Sequence, residues 1–289
     1  MVETARRRSR ARAAALAWAL LLASCMPPGW GANALLHPWR KSAPADPPVP
    51  HENVTFTGDG GVRLQGWIFR SAAEAARHRG TVVYLHGVGD SRGSSVGIAR
   101  HLTARGFDVV AYDSRAHGQS GGDACTYGFY EKRDLARVLD QLPGGAPFVL
   151  LGNSMGAAVA VQAAADEPRV AEVVAIATIS DLRTAASERA PFFASRANID
   201  QAFRLAEAQG HFKVDEVSPV AAAARIACPV LLIHGADDRE TPPAHSQRVY
   251  EALHEPKQLI LVPKAKHGNV LRPTVWDDID HWMDEPRGR

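Results

Sequence analysis

The sequence is short of cysteine: three in 289 residues, Cys25, Cys125 and Cys228, with no spacing that would make a metal site. It also lacks an excess of either charge, with 33 lysines and arginines against 31 aspartates and glutamates, a net of +2. The small surplus is local. Residues 1–24 carry Arg6, Arg7, Arg8, Arg10 and Arg12 against a single glutamate, which leaves −2 for the rest of the chain. Nothing in that balance offers a basic face to nucleic acid. There is no internal repeat, which excludes a solenoid. A membrane-spanning run is missing too: the apolar stretch 13–23 is about half of the roughly 20 residues a helix needs to cross a bilayer. What remains is 46% hydrophobic and 22% charged, the composition of one sizeable globular domain with extensions.

A basic region followed by a short apolar run is the build of a signal peptide. This one ends in Leu22-Ala23-Ser24-Cys25, which resembles the lipobox of bacterial lipoproteins, where the cysteine receives a diacylglyceryl group and becomes the new N-terminus. The resemblance implies an exported protein of the cell envelope, with residues 1–24 removed and Cys25 lipidated. Acyl chains anchor because each buried CH₂ contributes about 0.8 kcal/mol. Two alternatives stand beside it. Ala32-Asn33-Ala34 could serve ordinary secretory cleavage and release a soluble protein, or the segment could stay uncleaved as a signal anchor. Residues 25–53 are rich in proline, as in Pro44-Ala45-Asp46-Pro47-Pro48-Val49-Pro50, and read as an extended tether. The domain itself is expected over 54–289.

Residues 54–57 and 62–69 alternate apolar and polar around a glycine turn, an edge hairpin. Beyond them strand-like runs (81–86, 107–112, 147–152, 173–179, 229–234, 258–262) alternate with helical stretches near 94–105, 130–141, 155–166, 243–254 and 274–284. Such alternation implies an α/β fold: a mostly parallel sheet with helices on both faces and reactive residues at the carboxyl ends of the strands. One junction stands out. Phe148-Val149-Leu150-Leu151 stops at Gly152, turns over Ser154, and continues from Gly156 as an alanine-rich helix. The spacing G-x-S-x-G between a buried strand and a helix holds the serine in a strained turn with its hydroxyl pointing out. The helix that starts there offers unpaired N–H groups to an anion formed beside it.

These residues resemble the α/β-hydrolase superfamily over most of the chain from Val54 to Met283. The resemblance rests on Leu85-His86-Gly87, the 113–122 loop, Gly152 to Gly156, His234-Gly235 with an acid before Thr241-Pro242, and His267-Gly268. Within the superfamily the chain looks most like short-cap serine hydrolases, the acylglycerol lipases and acyl-protein thioesterases. It implies an eight-stranded sheet with a small cap around 181–217. The chain order of serine, acid and histidine is the one this fold uses, which picks Ser154 as nucleophile and His267, after the last strand, as base. Asp237 and Asp238 compete for the acid; the family pattern selects Asp238. The oxyanion hole falls to the backbone N–H groups of Met155 and Val88. His86, His234 and His117 are expected to orient loops, and Asp113 to tie down the Arg115 loop.

The implied reaction is hydrolysis of a carboxylic ester or thioester, on a small-molecule or lipid substrate, through an acyl-enzyme; it requires no metal or organic cofactor. A peptidase of this fold would need a larger gating domain than any segment here can make. A non-catalytic binding protein on the same fold would normally have lost a triad member. Cys125 and Cys228 could pair in an exported protein, a point the sequence leaves open.

Overall fold

Residues 27–72, 78–142 and 147–285 are described in a computed structural model of the chain; the expected signal peptide and Cys25 lie outside them. Helix α1 (Pro28–Leu36) comes first, then the antiparallel pair β1 (Glu52–Thr57) and β2 (Arg63–Phe69). After it run β3 (Gly80–Leu85), α2 (Val96–Ala104), β4 (Phe107–Tyr112), α3 (Glu131–Asp140), β5 (Phe148–Asn153), α4 (Met155–Ala164) and β6 (Val170–Ile176). Helices α5 (Leu182–Glu188), α6 (Arg196–Gly210) and α7 (Pro219–Ala223) separate β6 from β7 (Val230–Gly235). Helix α8 (Ala244–Ala252), β8 (Lys257–Val262) and α9 (Pro273–Asp284) complete the fold.

The strands form one eight-stranded sheet in the order β1-β2-β4-β3-β5-β6-β7-β8. Only the β1–β2 and β2–β4 pairings are antiparallel. Strands β4 and β7 are buried at every position, as near-continuous apolar runs in a doubly covered sheet must be. Neighbouring residues divide between the two faces with period two. Val83, Leu150, Val173 and Val230 join the core under α3, α4 and α8, whereas Val82, Leu151, Val174 and Leu231 join the core under α2 and α9. No helix among the described residues is long and apolar enough to cross a membrane.

Two readings of the sequence differ from the structure. Strand β6 occupies Val170–Ile176 rather than 173–179, because Ala177 turns to φ 54° and takes the chain out of the sheet. The larger difference concerns the tether. From Pro28 onward it is not an extended linker but part of the folded unit. Proline at the start presets the helical φ of α1. Ala32 and Leu36, one turn apart, are fully buried, and Gly31 brings α1 close to α6: a Cβ there would stand 3.0 Å from Ala202 Cβ. The chain beyond α1 is fastened as well. Leu36 O accepts from Cys125 N–H at 2.8 Å, Arg40 donates to the carbonyls of Ser120 and Gly122 at 2.6 and 2.7 Å, and Lys41 pairs with Asp90 at 2.9 Å.

These contacts build a third, smaller core above the carboxyl ends of the strands, where α1, α5 and α6 close over Tyr127 and Met155. Cys125 is buried in this cluster, while Cys228 packs against the core beneath the sheet, so the two are free thiols and no disulfide forms between them.

Candidate active site

The turn from β5 to α4 is closely packed. A Cβ on Gly156 would fall inside the carbonyl oxygen of Leu85 on β3, and one on Gly152 would collide with the Gly156 carbonyl. Only glycine allows strand and helix to approach this closely. Between them Ser154 sits at φ 52°, ψ −112°, a conformation that costs a non-glycine residue about 1–3 kcal/mol. Its N–H donates to Ile176 O at 2.8 Å, which fixes the turn to β6. Helix α4 is buried at all ten positions, so the elbow has a rigid base.

The Ser154 hydroxyl lies 2.9 Å from His267 Nε2, and His267 Nδ1 lies 2.7 Å from Asp238 Oδ2. With a carboxylate facing Nδ1, that nitrogen carries the proton and Nε2 is left to accept from Ser154 Oγ–H. Asp238 is buried on the loop after β7. Its Oδ1 accepts from the N–H groups of Glu240 and Thr241, each at 2.9 Å. Asp237 is exposed, with its N–H on Ala265 O. Of the two competing acids, the structure therefore brings Asp238 to the histidine.

The other conspicuous histidines hold loops. His234 Nε2 donates to Thr241 O at 2.8 Å and lies 3.3 Å from Asp238 Oδ2, while Ser246 donates to its Nδ1 at 2.6 Å. His86 donates from Nδ1 to Gly87 O at 2.8 Å and accepts at Nε2 from Ser114 N–H at 3.0 Å, so it joins the 86–90 loop to the 113–122 loop. Burial pushes its pKa down to about 4, which keeps it neutral and able to accept. His117 donates to Arg115 O at 2.8 Å, and burial lowers its pKa too.

Asp113 ties down its loop through Gln119 N–H at 2.8 Å, but its ionic partner is Arg92. Arg115 instead makes a bidentate pair with Asp134, both contacts at 2.7 Å. Sequence reasoning missed the first of these pairs, since nothing local marks Arg92.

Ser154 opens into a cavity of about 330 Å³. Val88 and Met155, whose N–H groups are the expected oxyanion donors, both line it. Met155 starts α4, where N–H groups have no intrahelical acceptor. Gly87 brings the Val88 loop close; a Cβ there would be 3.5 Å from that of Ser154. The far walls come from α5 and α6 and, unforeseen, from the N-terminal segment: Pro27, Trp30, Ala34 and Leu35. The spacing Ala32/Leu36 was the available signal for α1, too short to read inside a proline-rich stretch. Tyr127, held at φ 54° beside a hub in which Glu131 accepts from Thr126 and Gly128, is a further lining residue.

Arg189, at the end of α5, also lines the cavity; its guanidinium donates to Glu240 O at 3.0 Å and to the Thr241 hydroxyl. Among the described residues no aspartate or glutamate lines the cavity and no metal-type cluster exists.

A mostly parallel sheet that presents a serine on a glycine-flanked elbow, with acid and histidine on the loops after two later strands, is the layout of an α/β hydrolase. Comparison with known proteins agrees. Residues 76–208 match the family described as serine aminopeptidase, S33, and residues 146–287 match the prolyl oligopeptidase family. The uncharacterized protein YfhR of Escherichia coli (strain K12) is 30% identical over 246 residues, 80% of this chain and 81% of that protein. YqkD of Bacillus subtilis (strain 168) is 31% identical over 227 residues, covering 71% and 72%. The structure of the Pyrococcus furiosus esterase Pf2001 superposes with a TM-score of 0.68 at 23% identity, over 86% of this chain and 97% of that one. The chain belongs to the α/β-hydrolase superfamily.

Proposed function

We propose that this hydrolase cleaves carboxylic esters or thioesters with an apolar acyl group, through an acyl-enzyme on Ser154. The observation that carries the reading is the hydrogen-bonded line Asp238–His267–Ser154 opening into an apolar cavity. His267 takes the hydroxyl proton as Ser154 attacks the carbonyl carbon, then delivers it to the leaving alkoxide or thiolate. Asp238 holds the imidazole in register and stabilises its cation. The backbone N–H groups of Met155 and Val88 receive the oxyanion, each typically worth about 3 kcal/mol. Water activated by His267 then releases the acid. The acyl chain lies against Leu35, Ile179 and Phe203, where each CH₂ buried adds about 0.8 kcal/mol of binding.

A peptide substrate is the second reading, favoured by the peptidase descriptions of both matching families. Against it stands the lining. An aminopeptidase needs a carboxylate for the free amino terminus, and among the described residues the cavity presents arginine and no acid. Fluorophosphonate labelling of the full chain, compared with Ser154→Ala, tests the nucleophile. Labelling confined to the native protein is expected; its absence from folded native protein sinks the mechanism. An ester panel against aminoacyl-naphthylamides then separates the two readings.

The same proposal includes envelope anchoring through Cys25. Removal of residues 1–24 leaves α1 whole, whereas cleavage after Ala34 would cut inside a helix whose Leu36 is buried and whose Trp30 lines the cavity. Metabolic labelling with an alkynyl fatty acid, abolished in Cys25→Ala, is the expected result.

A further inference from the structure

The described residues have five exposed large apolar side chains: Trp30, Trp39, Phe192, Phe193 and Leu261. Four of them gather at one end of the molecule. Trp30, 57% exposed, is itself part of the cavity wall. Phe192 is 100% exposed and stacks edge-on against Phe193 at 5.3 Å, on a loop whose Pro191 and Ala194 line the same cavity. Trp39, 82% exposed, follows α1; its carbonyl lies 3.8 Å from where a Gly89 Cβ would be, beside the Val88 loop.

Isolated exposed apolar residues need no explanation, but a group around one opening marks an interaction site. Tryptophan and phenylalanine are also the residues that settle at the boundary between headgroups and acyl chains. The anchor proposed at Cys25 says what covers this patch. Pro27, the first described residue, lines the cavity, and Cys25 stands two residues before it. Two residues span at most about 7 Å, so an anchor at Cys25 would hold the membrane at this opening and nowhere else.

We propose that the rim formed by Trp30, Trp39, Phe192 and Phe193 is a bilayer-docking surface, which seats the cavity mouth in the headgroup layer and admits acyl substrates directly from the membrane. The docking rests on the Cys25 anchor proposed above for what covers the rim, and on the hydrolase reading only for the identity of what enters.

The test uses the full chain in phosphatidylcholine vesicles. Phe192→Trp is compared with Glu255→Trp, which places the new indole before β8 at the opposite end of the sheet. Because Trp30 and Trp39 already lie in the rim, the readout is the emission each new indole adds over the native chain. Brominated acyl chains should quench what Phe192→Trp adds and spare what Glu255→Trp adds; equal quenching of the two added signals, or none at 192, overturns the docking. In parallel, Phe192→Ser/Phe193→Ser should lower hydrolysis of bilayer-dissolved p-nitrophenyl palmitate by about tenfold, through lost apolar insertion. Hydrolysis of soluble p-nitrophenyl acetate and fluorophosphonate labelling should stay unchanged. An equal loss on both esters overturns the proposal, because it would place the phenylalanines in the chemistry. If the native chain takes no fluorophosphonate yet the indole at 192 is quenched, docking stands and the hydrolase reading fails.

Discussion

The floor and the roof of the cavity are built by different rules. The floor is the β5–α4 elbow and the loops after β7 and β8, where glycines meet backbone at contact distance and both carboxylate oxygens of Asp238 have partners. The roof is α1, α5 and α6 with the 190–195 loop, drawn from segments about 150 residues apart in sequence and held together by small side chains and a few buried anchors. A floor of this kind has one workable geometry. A roof of this kind can be re-lined without disturbing the chemistry beneath it, which is how one fold serves many substrates.

Asp238→Asn gives the sharpest test of that separation. With the amide in place of the carboxylate, His267 is turned to the wrong tautomer, and kcat/KM should fall by about 10⁴ on every ester, long or short. A shift in chain-length preference in that variant would break the comparison. Leu36→Ala probes the roof. Removing the fully buried leucine that ends α1 should cost about 2–5 kcal/mol, read as a lower Tm, and should weaken binding of long acyl chains while leaving kcat on acetate esters intact. Unchanged chain-length selectivity would mean α1 is mere packing.

The smallest effect is on pH dependence, and it belongs to the buried histidines. His86, His117, His234 and His245 all have pKa values lowered, chiefly by burial, with His86 at about 4. An unfolded histidine takes its proton near 6.5, so below that pH the unfolded chain binds more protons than the native one. Stability should be level above about pH 7 and decline as pH falls from 6.5 toward 4, by about 1.4 kcal/mol for each unit of separation. A thermal melt series across that range checks it; a Tm that rises on acidification contradicts it.

The floor was legible because its signals are local. A strand, two glycines and a serine sit within a few residues, and the parallel sheet announces itself through apolar runs such as 107–112, where β4 begins and ends as read. The expected order of acid and histidine also needs only the chain. The roof was not legible, and the reason is physical. Helix α1 has two buried residues per two turns and a proline-rich setting, so its stability comes from α6 rather than from its own pattern. The Arg92–Asp113 pair joins loops 21 residues apart, through the Arg92 guanidinium and its backbone N–H. Neither leaves a periodicity to find.

Thr241 gives the roof a fixed edge. Its hydroxyl holds Arg189, its N–H holds Asp238, and its carbonyl holds His234. Lifting α5 would drag on the same residue that steadies the acid, so that side of the roof is mechanically committed to the triad. The stretch between Ala190 and Ser195 that carries the two phenylalanines has no such tie to the acid's loop among the described contacts. A substrate arriving there meets Phe192 and Phe193, neither of which bonds to Asp238: the approach is kept on the side away from the clockwork.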